Sequence, residues 1–431
     1  MKSFLWLSWL VFAAAPAAAL PPAGPPADLA PYFAEMRQNH PAYRAADLRY
    51  QAALAAVPAA TALPDPQVSL GIFVEEVQTR VGPQKQRLGV RQGLPWPGKR
   101  ALAGEVAAAE AEVLAARREG VARDLEKQFK QAFAGYFYLG RAVAITAEHL
   151  ALLEDLERVV TDRYETSAAH YNDLIRIQME IEQLGERLAS QKAAAQPVRA
   201  QLNTLLGRPL DAPFAFPPAL PAVASLPELK GTDARAVIAQ HHPDLQVLAA
   251  HQAKNRTKVA LADLQRRPDF HVGLDWINTG EAVMPNTRGS GVDPVLLSVG
   301  VNLPLWRKKN RAAVDRARFT LEAVESQQRD VGTRAESLLQ QALFQRDDAE
   351  RKMDLFGERL VPKARESLAV ITSDFQTGAG SYLDLIEAEQ DLLTFLLAYH
   401  EAEQRRFQAV ADIEYLLGGA PAAPANQGGT E

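Results

Sequence analysis

The chain of 431 residues contains no cysteine. Disulfide bonds, cysteine-based metal sites and a lipid-modified N-terminal cysteine are therefore excluded. Beyond the N-terminal segment there is no run of about 18 apolar residues, so no helix of the usual membrane-spanning kind is predicted. The 47 basic residues are outnumbered by 52 acidic ones, and the net charge of −5 argues against nucleic acid as a partner.

The first residues have the organisation of a secretory signal peptide. Lys2 is followed by an apolar run over residues 4–15, which Pro16 and three alanines end. This run is shorter than a membrane anchor requires. We expect residues 1–19 to be removed and the remaining chain to cross the inner membrane of a bacterium.

The two halves of the chain resemble one another. PDPQVSL (64–70) recurs as PDFHVGL (268–274), the dipeptide His-Pro opens both halves, and Leu-Leu-Gly ends both. Internal repetition over a long period predicts a duplicated structural unit. The predicted divisions are a first repeat at 20–207, a Pro-rich linker at 208–231, a second repeat at 232–418 and a disordered tail at 419–431.

Proline is absent between Pro97 and Pro197, and this stretch is rich in strong helix formers. It predicts a helix from about 101 to 163, roughly 95 Å long. Helices at about 29–62 and 172–206 together match that length, so we expect them to stack as a second rod. An elongated helical assembly is predicted, not a compact enzyme.

Apolar residues recur at helical spacing in both repeats, and we interpret them as core positions. Pro362 is expected to interrupt the long helix of the second repeat. The core positions are Leu125, Phe129, Phe133 and Phe137 at every fourth residue, and Val324, Val331 and Leu338 at every seventh.

Four segments between the helices alternate apolar with polar or small residues, at about 66–77, 86–95, 268–278 and 295–305. This pattern is typical of transmembrane barrel strands, although a half-buried strand of a soluble sheet alternates in the same way. The smallest membrane barrels have about eight strands, and open sheet edges are not tolerated in lipid. Four strands therefore predict that several chains pool their strands in one barrel.

The stretch GLPWPGKR (93–100) resembles the start of the phosphate-binding loop G-x-x-x-x-G-K-[ST]. Pro95 and Pro97 remove two backbone donors that such a loop needs, and Arg100 replaces the Mg²⁺-binding hydroxyl. We interpret it instead as a joint between a barrel strand and a helix at the membrane interface. The second repeat has an equivalent at NLPLWRKKNR (302–311). The predicted joint residues are Pro95, Trp96, Lys99, Arg100, Pro304, Trp306 and Arg307.

These joints, the Leu-Leu-Gly endings and the signatures RYETSAAHYNDL (163–174) and DFQTGAGSYLDLIEAEQDLL (374–393) resemble the TolC family of outer-membrane efflux proteins. The resemblance covers nearly the whole mature sequence. It implies a mainly α fold with a membrane β-barrel: a homotrimer with a twelve-stranded barrel and a periplasmic α-helical tunnel. It also implies a passive conduit in the outer membrane of a Gram-negative bacterium, without enzymatic activity or cofactor. The implied partners are a periplasmic adaptor (membrane fusion) protein, an inner-membrane RND-type pump and outer-membrane lipid.

The resemblance also implies roles for residues near the two helical hairpin turns. The adaptor-docking tips correspond to Thr377, Gly378, Ala379 and Gly380, and to Thr166 and Ser167, where Ser167 replaces the usual glycine. Asp384, Glu387 and Asp173 match acidic positions that line the periplasmic aperture. At i and i+3, Asp384 and Glu387 share one helix face, so three copies would form stacked acidic rings that favour cations. A solvated helix face without a role is the alternative.

The strand exit PWPGKR is similar to that of members serving heavy-metal cation exporters, which suggests metal cations as cargo. Drug efflux and type I protein secretion stay open as alternatives, as does a secreted coiled-coil structural protein. The sequence predicts no metal site: His242-Pro243 repeats His40-Pro41 and is interpreted as structural, and His271 lacks neighbouring ligands. The long helices argue against an ordinary porin.

Overall fold

The computed structural model describes residues 28–166, 170–222, 231–377 and 380–419. The predicted signal peptide lies outside the described residues, as does the predicted tail beyond residue 419. In chain order the elements are α1 (Ala30–Asn39), α2 (Pro41–Thr61), β1 (Gln67–Thr79), β2 (Gly82–Leu94), α3 (Lys99–Glu165), α4 (Tyr171–Leu206), α5 (Gly231–His241), α6 (Pro243–Leu264), β3 (Asp269–Thr279), β4 (Val295–Asn302), α7 (Arg307–Met353), a π-helical segment (Asp354–Leu360), α8 (Val361–Thr377) and α9 (Tyr382–Leu416).

The four strands form one antiparallel sheet in the order β1-β2-β3-β4. The pairing of β2 with β3 joins the two repeats, and β1 and β4 are the edges. β2 begins at Gly82, before the predicted start, because the ladder with β1 continues to the pair Thr79↔Gly82. β4 ends at Asn302, before the predicted end at 305, because Pro304 has no N–H to donate to the ladder.

Four helical rods lie side by side. α3, with 67 residues, is about 100 Å long. Both α2 and α4 pack along it on one side, and α6 and α9 lie between α3 and α7. The predicted second rod is therefore present as α2 and α4, and the second repeat builds the same pair from α6 and α9.

The two stacked rods have the same junction. Gly207 follows α4 in a left-handed conformation (φ 70°), and a Cβ there would lie 2.8 Å from the Asn39 Cβ. Gly418 follows α9 with φ 80°, and its Cβ would lie 2.2 Å from the carbonyl oxygen of His241. Each Leu-Leu-Gly ending thus meets the residue that precedes a His-Pro dipeptide, which explains why the two motifs occur together.

The His-Pro dipeptides cap helices. His40 Nδ1 accepts the Ala42 N–H at 3.2 Å at the start of α2. His242 Nδ1 accepts the Asp244 N–H at the same distance at the start of α6. A side-chain acceptor at this position satisfies one of the free N–H groups of the first turn. The interpretation of both histidines as structural is therefore supported by their contacts.

The second long helix is interrupted near Pro362, as predicted, and the interruption is a π-helical segment before α8. Pro362 has no N–H to donate to the carbonyl four residues earlier, which disfavours a continuous α-helix there. Gly357 in this segment lies against Tyr399 of α9, since a Cβ would meet the ring at 2.7 Å. The neighbouring rod therefore packs closely at the interruption.

The predicted apolar stripe of α3 is core: Leu125, Phe129, Phe133 and Phe137 are all buried. In α7, Val324 and Val331 pack against the cluster formed with α5, α6 and α9. Leu338, which was predicted to share that seam, is instead 52% exposed in the single chain. The heptad spacing thus predicts the core position of two of these three residues correctly.

Among the described helices, none is both long enough and apolar enough to span a lipid bilayer.

Candidate functional site

The first strand–helix joint lies between the end of β2 and the start of α3, and it contacts the start of β3. Trp96 stacks on Phe270 with ring centroids 5.8 Å apart, and its backbone N–H donates to Asp269 Oδ1 at 2.8 Å. The Lys99 ammonium donates to the same oxygen at 2.8 Å and to the Arg267 carbonyl at 2.8 Å. Lys99 is thus held by protein groups at a turn, which agrees with a joint and not with a phosphate-binding loop.

The joint also includes α2. Arg100 donates through Nε and Nη2 to the Thr61 carbonyl, at 2.9 and 2.7 Å. Thr61 is the last residue of α2, whose final carbonyls have no partner within the helix. The strand pair, the end of α2 and the start of α3 therefore form one fixed unit, in which Pro95 follows the last ladder residue.

The second joint is more open. The Pro304 carbonyl accepts a hydrogen bond from Asn310 Nδ2 at 3.2 Å, and the Arg307 N–H donates to the Leu305 carbonyl at 2.9 Å. Trp306 is 75% exposed immediately before α7. Exposed indole rings next to a strand end are typical of the interface between membrane and water.

One face of the sheet is apolar and unpartnered in the single chain. The register aligns apolar residues across all four strands, and each is exposed. Exposed apolar area that is this continuous indicates contact with lipid or protein. The two clearest rows are Val68–Val90–Leu274–Leu297 and Leu70–Leu88–Trp276–Val295.

At the first hairpin tip, α3 ends at Glu165 and α4 begins at Tyr171. Thr166 caps the end of α3, and the predicted docking residue Ser167 lies outside the described residues. Asp173 forms a capping box, in which its carboxylate accepts the His170 N–H at 3.2 Å. The half-buried Asp173 therefore contributes to the start of α4 as well as to the charge of the tip.

At the second tip, α8 ends at Thr377, and Gly378 and Ala379 lie outside the described residues. The Gly380 N–H donates to the Asp374 carbonyl at 2.9 Å and closes the turn. Ser381 then caps α9 by accepting the Leu383 N–H at 3.1 Å. The chain direction therefore reverses through a tight turn next to the last residues of α8.

Asp384 and Glu387 are both exposed in the first turns of α9, whereas Leu385 and Ile386 between them are buried. Their spacing places the two carboxylates on one helix face. The buried neighbours anchor that helix in the core of the hairpin pair. Both acids are therefore available for contact outside the chain, and their role at an aperture stays a prediction.

Tyr382 brings the two tips together. Its side chain is buried in the cluster of α3, α4, α8 and α9 residues, and its hydroxyl has no hydrogen-bond partner among the described residues. Burial raises the pKa of this phenol, and the carboxylates of Glu180 and Asp173 raise it further. The start of α9 therefore lies beside the first turns of α4, so the residues predicted for the aperture in the two repeats lie in one region.

A second contact between the tips was missed by the sequence analysis. Arg163 Nη2 donates to the Phe375 carbonyl at 2.7 Å, and its guanidinium lies over the Phe375 ring at 4.3 Å from the centroid. This contact joins the last turn of α3 to the last turns of α8. The only sequence signal for it is that Arg163 and Asp374, at equivalent positions of the two signatures, have opposite charge.

Polar contacts continue between α3 and α9 above the tips. His149 Nδ1 lies 2.9 Å from Glu389 Oε2, and Gln131 donates to Asp412 at 2.7 Å. Burial raises the pKa of the Asp412 carboxyl. These contacts hold the two repeats together along the length of the rods, which a sequence pattern for either repeat alone does not show.

No group of histidines and carboxylates with the geometry of a metal site occurs among the described residues. His242 is buried, and burial lowers the pKa of its imidazole. His271 lies over Gly300, where a Cβ would meet its Nε2 at 2.0 Å. Both histidines therefore have packing roles in this structure.

Comparison with known proteins agrees with this architecture. The sequence profile described as outer membrane efflux protein matches residues 236–419, which is most of the second repeat. Among curated proteins, none matches the chain. The match is thus confined to the half of the chain that carries the more complete hairpin signature.

Solved structures match almost the whole chain at low sequence identity. The outer membrane protein VceC of Vibrio cholerae is 16% identical with a TM-score of 0.75, over 91% of this chain and 96% of VceC. The CmeC outer membrane channel of Campylobacter jejuni is 14% identical (TM-score 0.72; 91% and 86% covered). The open MtrE channel of Neisseria gonorrhoeae is 19% identical (TM-score 0.71; 91% and 89% covered). The chain therefore has the TolC-like fold of these outer membrane channels, and its second repeat is similar in sequence to the outer membrane efflux protein family.

Proposed function

We propose that three copies of this chain form an efflux channel of the outer membrane. Each copy contributes four strands to a twelve-stranded barrel, and the helical rods continue the barrel as a tunnel into the periplasm. The observation that carries the proposal is the sheet. It has a continuous exposed apolar face and two edges without a strand partner in the part of the chain that the structure describes, and it leads directly into rods about 100 Å long.

The sheet edges explain why several copies are needed. β1 and β4 have no strand partner on their outer sides within the described residues. Unpaired backbone groups are costly in hydrocarbon, so strands in a membrane form closed barrels. β1 of one copy paired with β4 of the next satisfies both edges and repeats around a closed ring.

A porin and a secreted coiled-coil protein fit these features less well. A porin consists of barrel strands nearly throughout, whereas most described residues of this chain are helical. A coiled-coil structural protein has no use for a sheet with an exposed apolar face. An efflux channel uses both parts, since the barrel crosses the membrane and the rods cross the periplasm.

Site-directed cross-linking tests the trimer in a chain that has no native cysteine. Val68→Cys on β1 and Leu297→Cys on β4 lie in the same apolar row. Within one chain they are separated by three strand spacings, about 14 Å, so a membrane-permeant bismaleimide of about 8 Å cannot bridge them. Between adjacent copies the strands are neighbours, and we expect covalent dimers and trimers in outer-membrane fractions.

The matched control places both cysteines on paired strands of one chain. Val90→Cys and Leu274→Cys face each other across β2 and β3, so the same reagent should leave this variant monomeric on denaturing gels. If the Val68/Leu297 variant yields only monomers although both cysteines are completely labelled, the closed ring of copies is contradicted.

The periplasmic end of the tunnel is proposed to carry the acidic aperture. In the trimer Asp384 and Glu387 form two adjacent rings of carboxylates, and the half-buried Asp173 adds to the same region. Repulsion within each ring favours the open arrangement, while contacts such as those of Tyr382 favour the closed one. Binding of a periplasmic adaptor at Thr166, Ser167 and the turn 377–380 shifts the balance by its higher affinity for the open tips. The adaptor is in turn linked to an RND-type pump.

Removal of the two acids tests the aperture. Asp384→Ala with Glu387→Ala removes six charges from the trimer, and we expect the block of single channels by divalent cations to weaken by about tenfold. Glu322→Ala removes an exposed acid of α7 far from the tips and should leave the block unchanged. If divalent cations block the double variant as strongly as the wild type, both acids lie outside the aperture.

The cargo is proposed from the strand exit PWPGKR, which suggests heavy-metal cations. Drugs and secreted proteins are the alternative cargoes of this architecture. A conduit needs no tight binding site for any of them, since strong binding slows passage. The resistance profile of a strain that lacks the chain, measured against metal ions, dyes and antibiotics, distinguishes these classes.

A further inference from the structure

The face of the sheet opposite the apolar rows carries small and charged residues. A Cβ on Gly89 would lie 2.3 Å from Asp275 Oδ1 and 2.8 Å from Ser69 Oγ. A Cβ on Gly273 would lie 3.9 Å from the Arg91 Cβ. Because successive side chains of a strand alternate between faces, these residues share the polar face with one another. In the proposed barrel this face lines the lumen.

Arg87 lies on the same face and is neutralised there. Its Nε and Nη2 donate to Asp275 Oδ1 and Oδ2 at 3.0 and 2.9 Å, a bidentate pair. The Asp275 carboxylate lies directly above Gly89, the one residue type that leaves room for it. The pair therefore contributes no net charge to the lumen.

Arg91 is different: among the described residues it forms no ion pair, and Asp275, the carboxylate that interacts with it at longer range, is already paired with Arg87. It is exposed, and its partners in the ladder are Gln67 on β1 and Gly273 on β3. Across the proposed interface between copies, the nearest strand is β4. The polar face of β4 carries Leu296, Ser298, Gly300 and Asn302, none of which is acidic.

We propose that Arg91 of the three copies forms a ring of positive charge in the barrel lumen, and that this ring selects anionic over cationic solutes at the outer end of the conduit. The proposal rests on the trimeric channel proposed above. The ring favours anionic or neutral solutes in the barrel, and it therefore argues against the heavy-metal cations that the strand exit suggests and for one of the alternative cargoes. Free metal cations meet a barrier at Arg91, after the acidic aperture has admitted them.

The effect is electrostatic and depends on salt. A ring of like charges within low-dielectric walls raises the local concentration of counter-ions by about tenfold or more. Screening shortens its reach to about 10 Å at 0.1 M salt, so the selectivity is best measured at or below this concentration. The Asp275 carboxylate limits the positive charge of the lumen because it neutralises Arg87. Removal of this carboxylate leaves the charge of Arg87 without a counter-charge.

The test uses the full-length protein in planar lipid bilayers with a KCl gradient. We expect Arg91→Gln to lower the chloride-to-potassium permeability ratio several-fold and to weaken block by hexacyanoferrate, a polyvalent anion, by about tenfold. Asp275→Asn should act in the opposite direction, with a higher permeability ratio and tighter block. The two variants change the lumen charge by one unit per chain with opposite sign.

Arg80→Gln is the matched control. Arg80 lies in the turn between β1 and β2 and donates to the Arg288 carbonyl at 3.2 Å, at the rim of the sheet. Its replacement removes the same charge per chain and should change the permeability ratio much less. If Arg80→Gln changes the permeability ratio as much as Arg91→Gln does, the proposed Arg91 ring is refuted. It is also refuted if Arg91→Gln leaves the ratio unchanged in channels of normal conductance.

The outcomes also separate this inference from the proposed function. If the wild-type protein forms no channels and no trimers, the conduit itself is refuted, and the ring with it. If trimeric channels form but their ion selectivity is unchanged by Arg91→Gln and by Asp275→Asn, only the role of Arg91 is refuted.

Discussion

Replacement of Gly418 by alanine is expected to remove most of the folded protein. The residue has φ 80°, and an added Cβ would lie 2.2 Å from the His241 carbonyl oxygen. A left-handed conformation costs a non-glycine residue roughly 1–2 kcal/mol, and the contact with rigid backbone adds to this. We expect the temperature at which trimers dissociate in detergent to fall sharply and the amount in the outer membrane to decrease.

The same argument predicts how strongly alanine substitution destabilises the protein at three glycines. Gly207→Ala at the equivalent junction should have a smaller effect, since its Cβ would lie farther from its neighbour, at 2.8 Å from the Asn39 Cβ and 2.9 Å from the Asn39 carbonyl oxygen. Gly332→Ala in α7 meets no atom within 4 Å and should be neutral or stabilise by up to about 1 kcal/mol. If Gly418→Ala tolerates heat as well as Gly332→Ala does, the junction between α9 and α5 is not tightly packed.

The junction shows what the sequence reveals about this fold. The recurrence of His-Pro and Leu-Leu-Gly predicts a duplicated unit, and the absence of proline from 98 to 196 predicts the long helix. Both are local signals, and the structure agrees with them. The end of α9 meets the end of α5, where Gly418 lies against His241, and this is a contact between distant parts of the chain. No local pattern contains it.

The candidate site divides in the same way. The exposed acids Asp384 and Glu387 and the joint around Trp96 were predicted from signatures along the chain. The bidentate pair Arg87–Asp275 was not, because it depends on the register in which β2 of one repeat pairs with β3 of the other. The contact of Arg163 with Phe375 depends on how two hairpins pack. Such pairings are set by the whole fold.

Replacement of Arg163 by glutamate is expected to loosen the periplasmic tips. The substitution removes a charged hydrogen bond to the Phe375 carbonyl and the contact of the guanidinium with the ring, and it adds a carboxylate beside an acceptor. A charged hydrogen bond contributes about 1.5–3 kcal/mol, which corresponds to a shift of roughly tenfold or more in the ratio of open to closed tips. We expect single channels to spend more time in high-conductance states.

Arg158→Glu is the matched control for this variant, because Arg158 is an exposed arginine near the same end of α3. Its ion pair is with Asp155, one turn earlier on the same helix, so its loss does not separate the hairpins. Exposed pairs of this kind contribute about 0–1 kcal/mol. Planar-bilayer recordings of both variants at the same salt concentration compare them directly. If the two behave alike, the Arg163–Phe375 contact does not restrain the tips. If only Arg163→Glu raises the open fraction, this contact between α3 and α8 holds the tips closed.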